Sequence, residues 1–311
     1  MATAPQRLSP VFLLAAPRSG AQLLRNMLVQ HPDIIIAPEC YFLVDAISAD
    51  GRFMKREAFL RSIQFDNGFN RLGLLIPQGL PFVGIAQNLL DQVAAAKPGA
   101  SIVGVTVQRY FDRLLWLWPD ARFIHLVRDG RDVAFAQVQA GKAGNMWHGI
   151  ADWVDAEILW DRMSHKLPLD RQFTLKYESL VGEPNYELHR ICQFLGIAYD
   201  PAMLERTSPP PREDIGRWRK TAITELQAAE HRAARWLLQN SYFLSGTVRP
   251  PSILRRAALN LQNKIAISNR TRVLLGTGPW LSAGYTTRFG SKKAKARLKR
   301  HLSEVLAKFE D

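Results

Sequence analysis

Two arginine-bearing turns hold the residues whose types and spacing suit chemistry. The first is Pro17-Arg18-Ser19-Gly20, continued by Ala21 and Gln22. It joins an apolar run, Val11 to Ala16, to a stretch where Leu23, Leu24, Met27 and Leu28 recur at helical spacing. Gly20 can take the positive φ that other residues resist. A strand–turn–helix unit of this kind aims backbone N–H groups and the positive end of a helix dipole at one point. Arg18 adds a permanent charge with a five-donor fork. The chemistry this permits is the binding of a phosphate- or sulfate-like anion. Neither G-x-G-x-x-G nor G-x-x-x-x-G-K-S/T is present, and no lysine follows Gly20 to reach nucleotide β and γ phosphates. Both absences argue against a conventional ATP or GTP hydrolase. The second turn lies in PDARFIHLVRDGRDVAFAQ (119–137). There Arg128 ends a buried strand, where open α/β sheets place ligands. Asp129 and Asp132 stand near the following helix start, where carboxylates are favoured.

The elements that must position these turns follow from periodicity. Strands are expected at 11–16, 34–36, 102–107, 122–127 and 172–176, with helices between them. That alternation predicts an α/β fold with a central parallel sheet flanked by helices in three layers. Residues 41–98 read as a mostly helical insertion, broken around Pro77, Gly79, Pro81 and Gly84 as a loop or lid would be. Phe42, Phe53, Phe65 and Phe69 suit either core or pocket wall. Ser208 to Pro211 cannot be helical and marks a stiff link before GRWRK (216–220).

Together the two turns resemble those of the sulfotransferases that use 3′-phosphoadenosine 5′-phosphosulfate (PAPS). TLKYESLVGEP (174–184), ELHRICQFLGI (187–197), GNMWHGIADWVDAEILWDRM (144–163) and IGRWRK (215–220) extend the resemblance over residues 10–245. It implies a P-loop-like three-layer fold and PAPS as sulfuryl donor, with adenosine 3′,5′-bisphosphate as the product and no metal. It also implies that Pro17, Arg18, Ser19, Gly20, Ala21 and Gln22 cradle the 5′-phosphosulfate and that Arg128 binds the 3′-phosphate. Tyr177 would contact the nucleoside, and Arg217 and Lys220 would close the site. Counted from Arg18, Glu39 in IIIAPEC falls where protein-tyrosine sulfotransferases carry a catalytic glutamate, which would take the acceptor hydroxyl's proton. His148 is the competing base; it opens a helix in which Ile150, Trp153, Glu157 and Trp160 follow at a 3–4 spacing. The chain departs from the family pattern at Ala21, Gln22 and Ala136, where the family carries hydroxyls that donate to phosphate. The Gln22 amide can itself donate.

Composition sets the remaining bounds. The chain has 311 residues, 47% of them hydrophobic, enough for a full core in one large domain at 1–250. Residues 251–311 hold 13 Lys or Arg against 3 Asp or Glu, within a whole-chain charge of +13. They are expected to form a basic helical extension that meets an anionic membrane surface or an acidic partner, with nucleic acid disfavoured by the few aromatics. Two cysteines, Cys40 and Cys192, exclude a disulfide scaffold and a spaced metal site. The first ten residues lack an apolar signal core, which leads to the expectation of a cytoplasmic enzyme, held peripherally at a membrane if the extension binds one. The acceptor is expected to be a hydroxyl on a small molecule, carbohydrate, lipid or peptide. Two other readings stay open: a nucleotide-dependent phosphotransferase, and a sulfotransferase-fold binding protein that acts through its basic C-terminal surface without catalysis.

Overall fold

The computed structural model describes residues 9–64, 66–207 and 214–276. In chain order the elements are β1 (Val11–Ala15), α1 (Ala21–Leu28), β2 (Ile34–Glu39), α2 (Tyr41–Asp45), α3 (Arg56–Ile63), α4 (Asn67–Leu72) and α5 (Phe82–Ala95). Then come β3 (Ile102–Val107), β4 (Arg122–Val127), α6 (Gly130–Gln139), α7 (Met146–Gly149), α8 (Ala151–Ser164) and β5 (Gln172–Lys176). Helices α9 (Tyr177–Gly182), α10 (Pro184–Leu195), α11 (Ala202–Glu205), α12 (Ile223–Gln239) and α13 (Ile253–Leu275) complete the order.

The five strands form one sheet in the order β2-β3-β1-β4-β5, with every pairing parallel. β1 lies at the centre and is buried on both faces, which is why its sequence is continuously apolar rather than alternating. Val11, Leu13 and Ala15 meet α1 and α10 on one face, while Phe12 and Leu14 meet α5, α8 and α12 on the other. The connection after β1 runs toward the β2 edge and the one after β3 runs back across β1 to β4. Neighbouring strands thus send their loops in opposite directions, and such a switch opens a crevice at the carboxyl ends.

The expected strand at 34–36 is longer, continuing to Glu39 with a register shift between Ala37 and Glu39. Pro38 causes the shift, because it has no N–H for the ladder. An edge strand such as β2 accommodates that loss through a local irregularity. In the 41–98 region the helices are broken at 46–55 and again at 73–81 before α5, and Gly84 lies inside that helix. Phe42, Phe59 and Phe82 are buried there, whereas Phe53 is partly exposed and Phe69 packs edge-on against Phe42. Phe65, the 208–211 link and the basic pattern at 291–309 lie outside the described residues. No helix among the described residues is long and apolar enough to cross a membrane.

The loop after β4 is held by a buried charge network. Arg131, almost fully buried, donates to both Asp129 carboxylate oxygens and, through Nη1, to Glu230 Oε1 at 2.8 Å. Glu230 is fully buried and also accepts from the N–H and hydroxyl of Ser245. Glu178 accepts from the Asp129 N–H and from the Tyr242 hydroxyl, and burial raises its pKa. Breaking a buried pair from one side strands the other charge, which typically costs about 3–5 kcal/mol. Glu230→Ala should therefore lower unfolding stability by about that amount in urea titrations at neutral pH, and a loss below about 1 kcal/mol would show that Arg131 finds another partner.

Candidate functional site

The Pro17–Gly20 turn leaves β1 at the carboxyl edge of the sheet. Arg18 (φ 69°) and Gly20 (φ 95°) both take left-handed backbone conformations, a pattern that curls successive N–H groups toward one side. Gly20 is the N-cap of α1, no side chain caps that helix, and its first turn carries no acidic residue. The first amides of α1 therefore keep their capacity for an anion. Ser19 is buried, and its Oγ has no hydrogen-bond partner among the described residues.

A stacked contact ties this turn to two other strands. Tyr177, the first residue after β5, lies directly on Gly20, so a Cβ there would overlap its ring. The Arg128 guanidinium lies over the same ring, 4.4 Å from its centroid. Arg128 Nη1 donates to the Arg18 carbonyl at 3.3 Å and Nη2 to the Asp214 carbonyl at 3.0 Å. Of its five N–H donors these bonds engage two, and Nε is buried, so two more remain for a ligand. Burial raises the Tyr177 pKa, with the neighbouring Arg128 charge opposing that rise, so the ring is neutral at physiological pH.

Around this stack opens a cleft of about 450 Å³, lined by Arg18, Arg128, Tyr177, Arg217, Asp214 and one face of α6. Arg217 pairs with Asp214 at 3.1 Å, and its guanidinium lies 5.6 Å from the Phe135 ring centroid. Asp132 accepts from the Gly216 and Trp218 N–H groups at 2.7 and 3.0 Å, fixing the segment that carries Arg217. Burial raises the Asp132 pKa, and these two hydrogen bonds oppose the rise. The volume suits a ligand of nucleotide size, and three guanidiniums facing two carboxylates favour a multiply charged anion.

The other sequence-predicted residues stand apart from the cleft lining. Lys220 ends the turn at 217–220 on the surface, Pro17 lies in the β1–α1 turn, and Ala21 and Gln22 open α1. Glu39 ends β2, two strands from β1, which is about 10 Å along the sheet edge. Its Oε1 accepts from Gln108 Nε2 at 3.3 Å, and the Tyr41 hydroxyl holds that Gln108 from its other end. Cys40 beside it is buried, and burial together with the Glu39 and Asp66 charges keeps its thiol protonated, unsuited to nucleophilic work. His148 bonds through Nδ1 to Asn145 Oδ1 at 3.0 Å and faces α13 at Asn260. Burial lowers its pKa, and the Arg232 charge adds to that effect, so the ring is neutral at physiological pH.

Sequence reasoning had not assigned Asp214, Phe135, Gln139 and Ala140, all of which line the cleft. A signal existed for three of them: from Asp132, positions 135, 136, 139 and 140 share one helical face. Ala136 lines the cleft as expected from its position, and Gln139, one turn on, brings an amide donor to the same wall. Asp214 follows a run with no periodicity and had no such signal.

Substituting Gly20 tests the stack. Gly20→Ala adds a methyl inside the Tyr177 contact at a positive φ, and is expected to cost about 1–3 kcal/mol in urea unfolding. An unchanged midpoint would mean that the ring does not rest on the turn in solution.

Comparison with known proteins agrees with this geometry. The family model described as "Sulfotransferase family" matches residues 10–201. The protein-tyrosine sulfotransferase of Drosophila melanogaster is 23% identical over 203 residues, which cover 62% of this chain and 39% of that protein. Nodulation protein NoeE of Sinorhizobium fredii is 27% identical over 214 residues, covering 61% and 50%. The chain thus spans half or less of the length of these two relatives. The sulfotransferase domain of the Synechococcus PCC 7002 olefin synthase has the same fold, with a TM-score of 0.51 at 21% identity over 83% of this chain and 96% of that domain. A strand–turn–helix anion cradle, an arginine ending the neighbouring strand and a family match over most of the chain agree, and the chain belongs to the sulfotransferase family.

Proposed function

We propose that this protein transfers a sulfuryl group from PAPS to an acceptor hydroxyl. The observation that carries this reading is the cleft in which Arg18, Arg128, Arg217 and Tyr177 meet beside an uncapped helix N-terminus and the unpartnered Ser19 hydroxyl. A bisphosphate nucleoside fits that donor set: two anionic groups for separated guanidiniums, a flat aromatic contact, and an acceptor for a buried hydroxyl. When bound, PAPS supplies a sulfuryl group activated on a phosphosulfate anhydride.

In this reading the Arg18 turn and the first amides of α1 hold the 5′ end of the donor. Arg128 meets the 3′-phosphate with the donors that its carbonyl bonds leave available. Fixed cations and amides stabilise charge that spreads over transferring oxygens, and being fixed they need no reorganisation during reaction. Glu39 takes the proton from the acceptor hydroxyl at its carboxylate, held in place by Gln108. The roughly 10 Å between β1 and β2 leaves room for the acceptor oxygen between the two. The tyrosine-acting relative makes a phenolic hydroxyl one candidate acceptor among peptide, carbohydrate and lipid hydroxyls.

The test is calorimetric titration with adenosine 3′,5′-bisphosphate. Micromolar binding is expected, weakened at least about tenfold in Arg128→Ala, since each hydrogen bond to a charged group contributes about 1.5–3 kcal/mol. Absence of binding at millimolar ligand would overturn the donor assignment. Glu39→Gln should leave that binding intact while lowering turnover about 10²–10⁴-fold. Unchanged turnover in Glu39→Gln would shift the base to His148. Binding without turnover over a broad acceptor panel would favour the non-catalytic reading instead.

A further inference from the structure

Helix α13 is seated on the protein by one row of residues. Leu259, Asn263, Ala266 and Arg270 face the loop between α6 and α7. The Asn145 amide, fully buried, donates to the Leu259 carbonyl at 2.8 Å, and Asn263 Oδ1 accepts from the Gly144 N–H at 2.7 Å. Gly144 makes this approach possible, because a Cβ there would overlap Ala266 and the Asn263 backbone. This face mixes apolar and polar contacts and is closely fitted.

The opposite face is the unusual one. Leu254, Ala258, Leu261 and Ile265 follow at spacings of four, three and four, which places them in a single row away from the seated one. Leu254 is 83% exposed, Leu261 59% and Ile265 51%. A helix on the surface of a globular protein ordinarily turns polar residues outward. Arg255 and Lys264 flank the row, Arg272 continues its line, and residues 251–276 contain no Asp or Glu. The helix is 23 residues long, about 35 Å, so the row and its cations present an extended surface rather than a spot.

We propose that this outward face of α13 docks on an anionic lipid bilayer. A partner must be apolar and negatively charged along the same line, and a bilayer rich in acidic headgroups supplies both. Charge complementarity sets the choice among occupants. A second copy of the face would bring cations against cations. The chain's own residues 277–311 carry eight Lys or Arg against three Asp or Glu, so they repel the flanks in the same way. A nucleic acid would satisfy the charge but leave the aliphatic row in water. The inference does not depend on the sulfuryl-transfer reading, since no residue of the cleft takes part.

The full-length protein should be sedimented with vesicles of phosphatidylcholine alone and with vesicles containing about 30% phosphatidylglycerol. Binding is expected only to the anionic vesicles and should weaken in about 0.5 M salt, as screening shortens the reach of the flanking charges. The double variant Leu254→Glu/Leu261→Glu should lose about tenfold or more in vesicle affinity with its thermal midpoint unchanged. Arg255→Gln/Lys264→Gln should weaken binding to the anionic vesicles by a similar factor. Equal partition to both vesicle types, or none to either, would overturn the proposal. So would a Leu254→Glu/Leu261→Glu variant that binds as the parent does. A fall of about 5 °C or more in its midpoint, or the loss of a dimer seen by ultracentrifugation, would assign the row to the chain's own packing or to a second copy.

Discussion

The site depends on the Tyr177 ring, which packs against Gly20 and has the Arg128 guanidinium 4.4 Å from its centroid. Each partner comes from a different strand end: Gly20 after β1, Arg128 after β4, Tyr177 after β5. Parallel strands bring these ends to one edge, but sheet pairing alone sets only their spacing of about 4.8 Å. The stack sets their height and angle. It also explains why a cation can be held part-buried here: the ring face attracts it electrostatically, and two backbone carbonyls accept from it. A Cβ at position 20 would overlap the ring that carries the arginine, so the turn's glycine and the strand-end arginine share a contact with a residue 157 positions beyond the glycine.

Behind this contact, the RDGRD segment divides into residues that line the cleft and residues that hold them there. Arg128 and Asp132 line the cleft. Asp129 caps α6 through the Arg131 N–H and binds the Arg131 side chain, which reaches Glu230 on α12. Asp132 uses both carboxylate oxygens to fix the backbone at 216 and 218. Charges crowded in and around one turn would repel or lose water at high cost if unpaired, and in this arrangement each has an opposite charge or a backbone hydrogen-bond partner. The same network that anchors α12 therefore places Arg217 at the mouth of the cleft.

Much of this was legible in the sequence. β1, β3 and β4 are short apolar runs bounded by turn residues, legible because burial on both faces leaves no competing periodicity. β2 was read short because Pro38 breaks the pattern of a strand that an edge position tolerates. Arg18, Arg128, Ala136, Tyr177 and Arg217 were singled out and are found together in one cleft. The α6 wall was missed although helical spacing from Asp132 would have pointed to it. Asp214 and the seating of α13 on Gly144 and Asn145 were not legible, since both rest on contacts between segments far apart in the chain with no periodic signature.

The altered cradle can be weighed on the same terms. Hydroxyls missing at Ala21 and Ala136 remove donors that a phosphate oxygen would use, each contributing about 1.5–3 kcal/mol to a charged acceptor. Backbone amides at the start of α1 are untouched by side-chain identity, and no acidic side chain in the first turn competes for them. On the far wall, Gln139 sits one helical turn beyond Ala136 with an amide donor facing the same space. A donor displaced by one turn meets a ligand group a few ångströms away from the original position, so the loss at Ala136 and the gain at Gln139 need not fall on the same oxygen. The consequence is a cleft that keeps its capacity for anions while changing how the ligand is oriented within it. Under the proposed reading, that shift is a physical route by which this chain can differ from its relatives in affinity without differing in fold.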